Sequence, residues 1–194
     1  MPTLTLTGEP DADRLLSDNA FALLVGMLLD QQIAMEQAFG GPARLAERLG
    51  GALTPAAVAA LDPDDLEQVF REKPALHRYP GSMAKRVHAL ATALVEDYDG
   101  DTEAVWRDVA DGRELKRRLT DLPGFGDQKS RIFVALLGKQ CGVTPDGWRE
   151  AAGDYGLDGH RSIADVVDHD SLLEVRAWKQ AKKARAKAEA EAGS

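Results

Sequence analysis

Hydrophobic positions recur at helical spacing through most of the chain. Residues 20–29 are apolar almost all round, which predicts a buried central helix. Residues 82–98 carry apolar side chains on one face only, which predicts a long amphipathic helix capped by Ser82. Cap residues and prolines at the first helical position indicate the shorter helices, which are expected at 11–16, 33–39, 42–49, 56–61, 64–72 and 113–120. Residues 1–10 alternate Thr and Leu and are expected to form an arm. The pattern predicts an all-α fold of about ten to twelve helices.

The turn Leu-Pro-Gly-Phe-Gly at residues 122–126 separates a charged helical segment from an apolar one. Gly124 and Gly126 suit a tight turn because glycine reaches positive φ without a Cβ clash. The next helix then begins near Gly126 with its first amide groups pointing outward, which favours a phosphate. These features predict a helix-hairpin-helix clamp on a DNA backbone, with an ordinary αα-corner as the alternative. The residues expected to contact DNA here are Gly124, Gly126, Gln128, Lys129, Ser130 and Arg131.

Charge and composition narrow the class of protein. The 194 residues have a net charge of −8, but residues 113–139 hold seven cations and three anions, so a positive face for DNA is compatible with an acidic chain. The single cysteine excludes an intrachain disulfide and a four-cysteine metal or iron–sulfur site. No apolar run approaches the ~20 residues of a membrane span, and no export signal is visible. We expect a cytoplasmic, nucleoid-associated monomer without metal or nucleotide cofactor.

The sequence Leu-Pro-Gly-x-Gly resembles the hairpin of the HhH-GPD superfamily of base-excision DNA glycosylases. Residues 29–32, Leu-Asp-Gln-Gln, match the Leu-x-x-Gln pattern of that superfamily. The resemblance implies two helical lobes: a six-helix bundle over 20–130 that ends in the helix-hairpin-helix, and a second lobe formed by 1–19 plus 131–194. It implies that the partner is double-stranded DNA containing a lesion.

Two side chains are expected at the flipped base. By the resemblance, Gln32 enters the space left by the extruded base, and Tyr79 fills the gap in the base stack, with Arg78 on a nearby phosphate. The alternatives are an exposed glutamine at a helix junction and a tyrosine packed on its own helix. The histidines, including His77, are expected at the surface.

The resemblance also implies a catalytic aspartate eighteen residues beyond Gln128, at Asp146, where the carboxylate would cap the helix that begins at Trp148. Bifunctional relatives carry a nucleophilic lysine at the position that Gln128 occupies, so a monofunctional glycosylase without lyase activity is expected. Asp146 has an alternative role as an N-cap only, which would leave a catalytically inactive DNA-binding protein. A helical scaffold whose hairpin is only structural is a third possibility. No role is assigned to residues 153–194, whose basic end is expected to be a solvated helix.

Overall fold

The computed structural model describes residues 3–51 and 53–192. Within these ranges the chain forms α-helices and three short 3₁₀ turns and no strand, so the all-α prediction is confirmed. The ends of the predicted arm and tail, residues 1–2 and 193–194, lie outside the described residues. The α-helices are α1 (Pro10–Asp18), α2 (Ala20–Leu29), α3 (Met35–Arg48), α4 (Pro55–Ala59), α5 (Pro63–Arg71), α6 (Pro80–Tyr98), α7 (Gly112–Asp121), α8 (Asp127–Gln140), α9 (Trp148–Ala152) and α10 (His169–Ala192).

Helix α2 lies at the centre, as its apolar sequence predicts. Every residue from Phe21 to Leu29 is buried, and the Asn19 side chain accepts a hydrogen bond from the amide of Ala22 at the start of the helix. Helix α3 packs closely against α2. A Cβ at Gly26 of α2 would lie only 2.7 Å from the ring of Phe39 in α3. Burying this helix supplies much of the hydrophobic stabilisation of the fold.

Two predicted helix boundaries are wrong. Residues 35–48 form one helix with Pro42 inside it, although two helices were predicted there. Helix α6 begins at Pro80, with Tyr79 at the N-cap position, so Ser82 lies inside the helix and does not cap it. Proline at the first helical position costs no hydrogen bond, since that amide has no partner within the helix.

The N-terminal segment is an arm, as expected. Leu4 and Leu6 are buried, and the carboxylate of Asp13 accepts hydrogen bonds from the amides of Leu6 and Thr7. Helix α1 packs against α2 and α3. The division into two lobes stays a prediction. None of the helices within 3–51 and 53–192 combines the length and the apolar character that a membrane span requires.

Helices α7 to α10 surround the hairpin. Helix α9 lies against α8, and a Cβ at Gly138 would meet the ring of Trp148 at 2.4 Å. The chain then returns along α8 towards the hairpin. There Gly153 lies beside Arg131, and a Cβ at Gly153 would be 3.1 Å from the Arg131 guanidinium. Helix α10 reaches the start of α3, where Arg176 pairs with Glu36. This path leaves a cleft between α10, the start of α8 and the end of α2.

Candidate nucleic-acid interface and cleft

The hairpin packs directly on the end of α2. Gly124 has φ +83°, and a Cβ there would lie 2.3 Å from Cδ1 of Leu28, so both the backbone conformation and the packing require glycine. Gly126 has φ −87° and open space at its Cβ position, so the expectation of two left-handed glycines is wrong for the second one. No side chain caps α8, whose first amides therefore stand at an open surface.

Lys129 and Ser130 are turned into the protein. The ammonium of Lys129 donates to the carbonyls of Met27 at 2.9 Å and Leu28 at 2.6 Å, the last carbonyls of α2. Its burial lowers the pKa of Lys129 from 10.5 to about 8. The hydroxyl of Ser130 is fully buried and donates to the carbonyl of Gly126 at 3.1 Å. Both groups hold the hairpin in place, and the phosphate contacts predicted for them have no support in this geometry.

Carboxylates already neutralise much of the positive charge beside the hairpin. Asp127, the first residue of α8, lies 2.5 Å from the ammonium of Lys116 and 2.8 Å from the guanidinium of Arg131. Arg117 pairs with Asp121 at 3.2 Å. A phosphate that binds at this surface therefore has to compete with Asp127 for Arg131 and with Asp121 for Arg117.

Gln32 and Tyr79 lie side by side, although 47 residues separate them. The hydroxyl of Tyr79 donates to Oε1 of Gln32 at 3.3 Å, and Tyr79 is 43% exposed. Gln32 has φ +57°, an uncommon conformation for a residue with a Cβ. The Arg78 guanidinium lies 5.5 Å from the centre of the Tyr79 ring. The structure thus places together the two side chains that the sequence predicts at a flipped base.

His77 joins the loops that carry these two residues. Its Nδ1 accepts a hydrogen bond from the amide of Tyr79 at 3.0 Å, so Nε2 carries the proton and donates to the carbonyl of Gln31 at 3.0 Å. Only 2% of His77 is exposed, so the prediction of a surface histidine is wrong. Burial lowers the pKa of His77 below 6.5, which keeps the ring neutral. Nothing local in the sequence indicates this role, because the contact with Gln31 spans 46 residues and depends on the tertiary fold.

The cleft has a volume of about 530 Å³, within the ~300–1,000 Å³ of ligand pockets. The Gln128 amide, at its wall, donates to the hydroxyl of Tyr155 at 3.0 Å. Lys182 lies 4.9 Å from the ring of Trp178 and 5.7 Å from that of Tyr155. The cleft therefore combines aromatic rings, amides and cations. The lining includes Gln32, Gln128, Lys129, Tyr155, Trp178 and Lys179.

Tyr155 and Trp178 are absent from the candidates that the sequence yields. Trp178 stands on α10 among basic residues and lines the cleft. The start of α10 is buried at Leu172 and Val175, whereas residues 181–190, in the basic tail, are exposed as expected. The apolar spacing of Leu172, Val175 and Trp178 is the signal that could have found this face. For Tyr155, in a glycine-rich loop, the sequence carries no such signal.

Asp146 lies outside the cleft. It is exposed, and its backbone carbonyl accepts a hydrogen bond from Gly112 at 2.8 Å. Gly147 occupies the N-cap position of α9 and no side chain caps that helix, so the predicted capping by Asp146 is wrong. The neighbouring Trp148 packs at Gly138, ten residues along α8 from Gln128 and hence about 15 Å along its axis. The catalytic role of Asp146 stays a prediction.

These features define a class of protein: an all-α protein with a helix-hairpin-helix motif and a cleft beside the hairpin. The described part of the chain contains no cluster of three or more His, Cys, Asp or Glu side chains suited to a metal ion. Residues 25–193 match the family model described as "HhH-GPD superfamily base excision DNA repair protein". The chain belongs to this superfamily, which confirms the resemblance and indicates a glycosylase-type function in base excision repair, with DNA as substrate. No curated protein and no solved structure matches the chain significantly.

Proposed function

We propose that this protein is a monofunctional DNA glycosylase that removes a damaged or mispaired base from double-stranded DNA by hydrolysis. It acts as a monomer on the DNA of the nucleoid. One observation carries the proposal: Gln32 lines the cleft and also accepts a hydrogen bond from the exposed Tyr79. A cleft able to receive a base therefore opens beside two side chains able to replace that base in the duplex.

The chemistry of these side chains suits base flipping. Extruding a base costs a few kcal/mol, and an aromatic ring stacked on the neighbouring pair returns about 1–3 kcal/mol. Tyr79 is exposed enough to stack in this way, and the amide of Gln32 can both donate to and accept from the orphaned base. The rings of Trp178 and Tyr155 provide apolar walls for the extruded base.

Position 128 supports hydrolysis without strand cleavage. A lyase needs an amine that forms an imine with the sugar, and the amide of Gln128 is not a nucleophile. This amide is held by Tyr155, while the ammonium of Lys129 is taken up by the carbonyls of Met27 and Leu28. We therefore expect base release to leave an intact abasic strand.

The test is single-turnover base release from a panel of lesion duplexes, analysed with and without alkali, beside borohydride trapping of any imine. We expect breaks only after alkali and no trapped adduct with the wild type. The variant Gln128→Lys restores an amine at the lyase position and is the positive control for trapping. Breaks without alkali, or a trapped wild-type adduct, would contradict the monofunctional assignment.

The second candidate is an inactive protein that binds damaged or structured DNA. One observation favours it: Asp146, the carboxylate implied by the superfamily resemblance, is exposed and lies outside the cleft. Intact DNA binding without release of any base would support this candidate. Absence of DNA binding would instead favour the scaffold alternative.

A further inference from the structure

The proposed hydrolysis needs a carboxylate beside the reacting sugar. A carboxylate stabilises the oxocarbenium-like sugar and accepts a proton from the attacking water. Asp146 does not line the cleft, and among the described residues Asp30 is the only Asp or Glu that does. We propose that Asp30 is the catalytic carboxylate of this protein. This inference rests on the proposed glycosylase function.

The backbone holds Asp30 firmly at the edge of the cleft. It follows the last residue of α2, and its amide donates to the carbonyl of Gly26 at 3.2 Å. The side chain is only 12% exposed and lines the same cleft as Gln32, two residues further along the chain. A base that is replaced in the stack by Gln32 therefore leaves its sugar near Asp30.

Two ammonium groups stabilise the negative charge of Asp30. The C-terminal end of a helix disfavours an anion, because the last carbonyls give it a partial negative charge. Lys179 lies 3.7 Å from Oδ2 of Asp30, and the ammonium of Lys129 interacts with Asp30 electrostatically. The positive charges of Lys179 and Lys129 offset this partial negative charge beside the carboxylate of Asp30.

The reaction balances as a hydrolysis. The bond between the sugar C1′ and the base nitrogen breaks, and its electron pair leaves with the base, which takes up a proton from solvent. The resulting positive charge at C1′ is stabilised by the carboxylate of Asp30. The oxygen of one water molecule then bonds to C1′, while its proton passes to Asp30 and from there to solvent.

The test compares four variants with the wild type in base release and in binding of the same lesion duplex. Asp30→Asn keeps the shape of the side chain and removes its charge, and Asp30→Ala removes the carboxylate so that added formate can replace it. Asp146→Asn is the matched change at the competing carboxylate. Lys179→Met removes the ion pair and leaves Asp30 in place, so it measures how much that contact contributes through structure alone.

We expect Asp30→Asn to bind DNA and to release the base at least about 100-fold more slowly, the lower end for general acid–base catalysis. Asp146→Asn should keep the wild-type rate, and Lys179→Met should lose much less than Asp30→Asn. Sodium formate should restore part of the activity of Asp30→Ala.

Other outcomes overturn the proposal in distinguishable ways. Normal release by Asp30→Asn, with or without loss in Asp146→Asn, shows that Asp30 is not the carboxylate. Equal losses in Asp30→Asn and Lys179→Met, without rescue by formate, show that Asp30 only holds α10. No release by the wild type from any lesion overturns the glycosylase function itself, and with it the role of Asp30.

Discussion

Lys129 provides the sharpest test of how the hairpin is built. Its ammonium contacts the carbonyls of Met27 and Leu28 and is largely buried, although a lysine in a DNA-binding hairpin is expected to contact phosphate. Replacing Lys129 with methionine keeps most of the side-chain volume and removes the titrating group. The two interpretations of Lys129 predict different responses of this variant to pH and to salt.

The size of the pH effect follows from the pKa of Lys129. Between pH 8 and 10.5 the folded protein has released a proton that the unfolded chain still holds. The free energy of unfolding therefore rises with pH in this window and gains about 3 kcal/mol in total, at up to ~1.4 kcal/mol per pH unit. Below pH 8 this contribution is lost, because both states carry the proton. Lys129→Met has no such group, so the stability of wild type relative to the variant should rise between pH 8 and 10.5.

Chemical denaturation of both proteins from pH 7 to 10.5 measures this difference, since the other titrating groups are common to both and cancel. Lys85→Met, at an exposed lysine of α6, is the control and should follow the wild type. A second measurement is the slope of the logarithm of DNA affinity against the logarithm of salt concentration. This slope should be the same in Lys129→Met as in the wild type. Parallel stability curves, together with a slope reduced by about 0.9, would show that the ammonium contacts a phosphate and that our assignment is wrong.

Three further predictions concern the interface. Tyr79→Ala should weaken binding to a lesion duplex by about 1–3 kcal/mol with little change in thermal stability, whereas Tyr79→Phe should bind nearly as the wild type does. Equal binding by the wild type and both variants would refute stacking. Asp127→Asn frees Lys116 and Arg131, so DNA affinity should rise and its salt slope should steepen by about 0.9, and weaker binding would contradict this. Because burial lowers the pKa of His77, wild type should lose stability relative to His77→Gln as the pH falls below 6.5 in denaturation curves, and a constant difference would refute the neutral buried ring.

Local patterns in the sequence predict the elements of the fold well. The apolar run of α2, the hairpin turn and the amphipathic α6 each depend on residues close together in the chain. Gln32 and Tyr79 each flank a predicted helix and lie side by side in the structure, while their roles at a flipped base stay a prediction. The single helix α3 is missed because Pro42, which usually marks a helix start, is tolerated inside this buried helix.

The rest of the site depends on contacts between distant parts of the chain. Helical phase indicates that Lys129 points away from Gln128 by about 100°, but not that the last carbonyls of α2 lie there. His77 meets Gln31 across 46 residues, and Asp30 meets Lys179 only because α10 folds back over the cleft. The count to Asp146 assumes that the chain after α8 takes the path of the relatives. Gly147 and the packing of Trp148 on Gly138 instead keep Asp146 at the far end of α8.

The end of α2 connects the separate parts of this site. The carbonyl of Leu28 accepts hydrogen bonds from the ammonium of Lys129 and from the side-chain amide of Gln31. The hairpin glycine Gly124 packs on the side chain of Leu28. Residues 27–32 thus contact the hairpin, and they include Gln32, the partner of Tyr79, and Asp30, the carboxylate that we propose as catalytic. The core fixes this segment, because every residue of α2 from Phe21 onwards is buried. In the mechanism that we propose, DNA bound at the hairpin therefore meets Gln32 and Asp30 at a distance set by the end of α2, with little reorganisation left for base flipping.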